Sequence, residues 1–72
     1  MTLGEKIKTA RENRGMTQNQ LGAAVGVTEQ AVYYFEHGLR VPSVQTLTEI
    51  AAVLDVSLDW LCGLEELKKE RA

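Results

Sequence analysis

Glu29, Gln30, Tyr33 and Tyr34 are the densest group of recognition chemistry in this chain of 72 residues. A carboxamide such as Gln30 offers an acceptor and a donor side by side, a carboxylate such as Glu29 only accepts, and a phenol adds a flat ring to a hydroxyl. Groups of this kind read hydrogen-bonding edges; they do not by themselves break bonds. No serine, cysteine, histidine and carboxylate set accompanies them, and no glycine loop suited to cradling a phosphate appears. His37 and Cys62 are each the sole residue of their type, so metal-ligand spacing is lacking as well. Neither enzymatic activity nor a metal or cofactor is expected.

The four residues need a helix to place them. With Val32 and Phe35 facing inward, the helical period sets Glu29, Tyr33 and His37 in one outer row and Gln30 and Tyr34 in the next. Thr28 stands as N-cap of this helix, and Gly38 closes it as Gly26 closes the one before. The preceding helix opens at Thr17, with Gln20 completing a capping box, and Leu21, Ala24 and Val25 form its buried stripe. Only residues 26–28 join the two, and so short a corner forces a steep crossing, the outline of a helix-turn-helix.

Three further helices complete an all-α reading with no strand pattern. The first runs over about 3–13, with Leu3, Ile7 and Ala10 on one face, Gly15 at its end and Met16 folded back over it. Pro42 blocks extension of the third helix, and Ser43 caps a fourth whose Leu47, Ile50, Ala51 and Leu54 follow the i, i+3, i+4, i+7 rule. Ser57 caps a fifth carrying Leu58, Trp60 and Leu61, which ends at Gly63. Residues 1–63 form one domain, and 64–72 a tail that is frayed or separately helical.

A steeply crossed second helix leaves its outer face free to enter a groove about 12 Å wide, the major groove of B-form DNA. There Gln30 matches N6 and N7 of adenine, a bidentate contact worth ~1–3 kcal/mol, and Glu29 can use only the exocyclic amine of cytosine. Tyr33 or Tyr34 can lay its ring on a thymine methyl or reach a phosphate with its hydroxyl. Gln18, at a helix start, can hold a phosphate together with backbone N–H groups. Thr28, Arg14 and the loop residue Arg40 are the other candidate phosphate contacts. Ordinary accounts stand beside these: a first-turn carboxylate stabilises a helix dipole without DNA, and adjacent exposed aromatics can mark a protein-binding patch.

The blocks LGEKIKTARENRGMTQ, GVT, EHGLRVPS and TLTEIAAVLDVSLDWL, in this order, resemble the phage repressor and Cro-like helix-turn-helix regulators, the XRE family. The resemblance implies a five-helix lambda-repressor-like DNA-binding domain with its motif at helices two and three. It also implies base contacts from Glu29, Gln30 and Tyr34, a phosphate contact from Gln18, and a scaffold ion pair between Arg11 and Glu36. Two departures stand out. Gly22 occupies a slot where the family usually has alanine, which still permits close helix contact, and Tyr33–Tyr34 replaces a small polar residue followed by arginine or another polar reader.

Eight basic against ten acidic side chains give a formal net charge of −2, the opposite of the usual nucleic-acid footprint. Binding is then expected to need Glu49, Asp55, Asp59 and the tail acids on the far side, and a second copy to supply what one protomer lacks. Trp60, Leu64 and Leu67 fall at i, i+4, i+7 spacing as a homodimer surface, although Trp60 also suits a core plug against helix four. Glu65 and Lys69 can pair along a helical tail. Cys62 cannot form an internal disulfide and reads as a small hydrophobe at the end of helix five. No apolar run is long enough for a membrane span or signal sequence, which places the chain in the cytoplasm. The function expected is a DNA-binding regulator of repressor type acting on double-stranded DNA. The alternative is a protein-interaction module, such as the antitoxin of a toxin pair, meeting a protein partner.

Overall fold

The computed structural model describes residues 1–64 and Leu67. Five helices follow in chain order: α1 (Leu3–Asn13), α2 (Gln18–Val25), α3 (Glu29–Glu36), α4 (Val44–Leu54) and α5 (Leu58–Cys62). There is no strand among the described residues. Each start is a hydroxyl cap. Thr17 accepts from the Gln20 N–H at 3.0 Å while Gln20 returns a bond to the Thr17 N–H at 2.9 Å, the expected capping box. A second such box, Thr2 with Glu5, opens α1, and the backbone N–H of Thr2 together with its hydroxyl holds the Glu5 carboxyl below the usual carboxylate range. Gly26 and Gly63 end α2 and α5 in the left-handed conformation, whereas α3 ends at His37, with Gly38 one residue later at φ +71°. Asp55 ends α4 with φ +56°, a role that sequence reading would assign to glycine and that a short polar side chain tolerates.

Ile7, Leu21, Val32, Ile50, Leu54 and Leu61 meet in one core, each fully buried. α3 lies on α1 and α2; α4 packs on α2 and α1, and α5 on α1 and α4. One expected core position is corrected. Ala24 is exposed, because Leu21, Gly22 and Val25 occupy the inward arc of about 100° and rotate Ala24 out of it. Cys62 is exposed too, since its neighbour Leu61 takes the inward place on the single turn of α5.

Gly22 faces the corner itself. Its carbonyl accepts from the Val27 N–H at 2.9 Å, and a Cβ there would stand 2.7 Å from the Val27 carbonyl oxygen. The glycine is therefore fitted to the close approach of residues 27–28, and the expectation that it merely permits contact understates its role. Lys6, unremarked in the sequence, is only 3% exposed. Its Nζ donates to the Trp60 carbonyl at 2.8 Å and sits 5.5 Å from the indole centre, so a cation meets one of the last carbonyls of α5. Trp60 is half-buried against the core at this point, the core-plug role.

Candidate nucleic-acid interface

Helix α3 turns Val32 and Phe35 inward and leaves Glu29, Gln30, Tyr33 and His37 exposed, with Tyr34 half-buried. Both outer rows expected from the helical period close a contact. In one, the Tyr33 and His37 rings lie 4.1 Å apart between centroids, tilted by 36°. In the other, Gln30 Nε2 donates to the Tyr34 hydroxyl at 2.7 Å. The two tyrosine rings meet edge to face at 6.0 Å. His37 thus has a stacking partner on its own helix, and no group of three metal-ligating residues occurs among the described residues.

The start of α2 stands beside this surface and is tied to α3 by a buried chain of polar groups. Arg11 Nε donates to Glu36 Oε2 at 2.6 Å and Nη2 to Oε1 at 3.1 Å, the bidentate pair that the resemblance implied. Arg11 Nη1 donates to the Met16 carbonyl at 2.8 Å, which fixes the α1–α2 turn. Donation to the Glu36 carboxylate raises the guanidinium pKa and outweighs the opposing effect of burial. Gln18 Nε2 donates to Glu36 Oε1 at 3.1 Å, a link that no local pattern announces. One hydrogen of the Gln18 amide is spent inward, and the second remains available to an acceptor outside. The Thr17–Gln20 box takes two of the orphan N–H groups of α2, leaving those of Gln18 and Asn19 at its tip.

Thr28 uses a lone pair on the Ala31 N–H at 3.0 Å, which keeps its hydroxyl proton for another partner. Arg14 is exposed at the C-cap of α1. Arg40 is exposed as well, and its backbone is held to the end of α3, where Leu39 and Arg40 N–H groups donate to the Tyr34 carbonyl at 2.9 and 3.3 Å. With Glu36 neutralised by Arg11, Glu29 is the one exposed acid of α3. Glu49 on α4, Asp55 at its cap and Asp59 on α5 ride on elements that pack against α1, α2 and each other. Leu64 and Leu67 are 39% and 49% exposed. Glu65 and Lys69 lie outside the described residues.

A family profile described as helix-turn-helix matches residues 7–61. Among curated proteins, the uncharacterized HTH-type transcriptional regulator YqaE of Bacillus subtilis (strain 168) is 37% identical over 65 residues, covering 90% of this chain and 56% of that protein. The chain spans about half the length of the curated relatives it matches, 56%, 55% and 54% for three of them. Among solved structures, the P22 c2 repressor in complex with a synthetic operator superposes with a TM-score of 0.82 at 30% identity, covering 85% of this chain and 92% of that one. SinR, the master regulator for biofilm formation, in complex with DNA superposes with a TM-score of 0.79 at 34% identity, covering 85% and 98%.

Proposed function

Because the chain belongs to the helix-turn-helix family of phage-repressor and Cro-like (XRE) regulators, we propose that it binds double-stranded DNA as a transcriptional regulator of repressor type. The observation that carries this reading is the free outer face of α3, with Glu29, Gln30 and Tyr33 exposed beside the open tip of α2. P22 c2 and SinR, similar in fold and sequence, are bound to DNA in their solved structures. In this reading α3 enters the major groove, Gln30 pairs with adenine, Glu29 accepts from a cytosine amine, and Tyr33 and Tyr34 meet a thymine methyl or a phosphate. Gln18, Thr28, Arg14 and Arg40 hold the backbone and set the register.

A chain with net charge −2 gains from binding as a homodimer, two copies reaching half-sites about 34–36 Å apart on a near-palindromic operator. The exposed Leu64 and Leu67 suit that contact, and the half-buried Trp60 is the third residue assigned to it. No helix among the described residues is long and apolar enough to cross a membrane, which fits work in the cytoplasm, and we assign neither catalysis nor a cofactor. A protein partner is the second reading, favoured by the same exposed leucines and by the solved complex of SinR with SinI.

Fluorescence anisotropy against a duplex selected from a random library tests the proposal. Arg14 and Arg40 from each of two protomers predict that log K falls against log salt with a slope of about −3.6. No duplex binding even at low salt, with a protein co-purifying instead, contradicts it.

A further inference from the structure

Gln30 and Tyr34 are not two separate readers. A carboxamide at the tip of a glutamine swings about its last torsion, so that acceptor and donor exchange places, and ordering a free side chain of this length costs binding free energy. Here the side chain is already restrained. Gln30 Nε2 donates to the Tyr34 hydroxyl at 2.7 Å, one helical turn along the same exposed row. The phenol is half-buried and meets Tyr33 edge to face at 6.0 Å, so its own position is set by packing. An Nε2 that gives one hydrogen to Tyr34 keeps the other, and Oε1 keeps both lone pairs. What remains is one donor and one acceptor on a restrained amide, the set that adenine presents in complementary form through N7 and N6. The Tyr34 oxygen, having accepted from Gln30, retains its own proton for an adjacent acceptor.

Resting on the DNA-binding reading above, we infer that Tyr34 is a positioning residue for base selection: its hydroxyl restrains the Gln30 side chain so that Oε1 and one Nε2 hydrogen are left for adenine. Tyr34→Phe removes that hold and keeps the ring. Swapping the adenine for another base in the selected duplex, or replacing it with 7-deazaadenine, which lacks the N7 acceptor, measures the contact atom by atom. For the parent the adenine preference is about 5- to 150-fold. In Tyr34→Phe it shrinks by about 2- to 12-fold, the worth of one neutral hydrogen bond, and the 7-deaza penalty shrinks with it. The thermal melt and circular-dichroism spectrum of Tyr34→Phe stay those of the parent, as expected for a change on an exposed helix face, a result that loss of structure would not produce.

Failure at each level is distinct. If no duplex is selected at all, the DNA-binding reading falls and this inference with it. If Gln30→Ala abolishes the adenine preference and Tyr34→Phe leaves both it and the 7-deaza penalty at parent values, only the role of Tyr34 is overturned. If neither variant alters the preference, the pair is not the adenine reader.

Discussion

Arg11→Ala is expected to melt about 12–40 °C below the parent, from a loss of ~3–5 kcal/mol and a shift of about 4–8 °C per kcal/mol in a domain of this size. The arginine side chain is 10% exposed and that of Glu36 1%. Alanine therefore strands a carboxylate that, among the described residues, keeps only the Gln18 amide as partner, and it also releases the Met16 carbonyl. The whole domain has a stability of roughly 0.05–0.15 kcal/mol per residue, so this single loss consumes much of it. The cost belongs to breaking the pair, not to the worth of the pair itself. The double variant Arg11→Met with Glu36→Leu removes both charges and is expected to recover much of the lost melting temperature. Thermal melts followed by circular dichroism decide the matter, and an Arg11→Ala transition at the parent temperature refutes the role given to the pair.

Gly4→Ala is the second large effect, and its sign runs against helix propensity. Within a helix, alanine is favoured over glycine by about 1 kcal/mol. At this position a Cβ would fall inside van der Waals contact of the Glu36 carbonyl, 2.8 Å from its carbon and 2.6 Å from the Phe35 oxygen. Those are backbone atoms and cannot rotate aside. Helix α1 must then move off the end of α3, the place where Arg11 and Glu36 also join the two helices. Overpacking of this kind costs about 1–3 kcal/mol, which at about 4–8 °C per kcal/mol lowers the melting temperature by roughly 4–24 °C. A Gly4→Ala protein that melts at or above the parent would show that α1 and α3 are not in direct backbone contact.

What could be read from the sequence was local. Hydroxyl caps at Thr17, Thr28, Ser43 and Ser57 and the apolar spacing of α4 depend on neighbours three or four residues away, and the structure has them as read. The corner at 26–28 belongs to the same class. Contacts between elements were less accessible. Arg11 and Glu36 lie 25 residues apart, and only the family resemblance brought them together. Gly4 looks like a defect in a helix until the carbonyls of α3 stand against it, and Lys6 looks solvated until the end of α5 covers it. Ala24 was misplaced because apolar character says nothing about which side of a short helix a neighbour will press on. The Gln30–Tyr34 bond was within reach, since i, i+4 spacing of an amide and a phenol on an exposed face invites it.

Whether the outer face of α3 sits in the major groove is tested most directly by methylation interference on the selected duplex. Methyl groups at guanine N7 project into the major groove, and those at adenine N3 into the minor groove. With α3 in the major groove, N7 methylation within each half-site is expected to abolish binding while N3 methylation there is tolerated. Interference from adenine N3 with indifference to guanine N7 would contradict it, placing the protein on the other side of the helix.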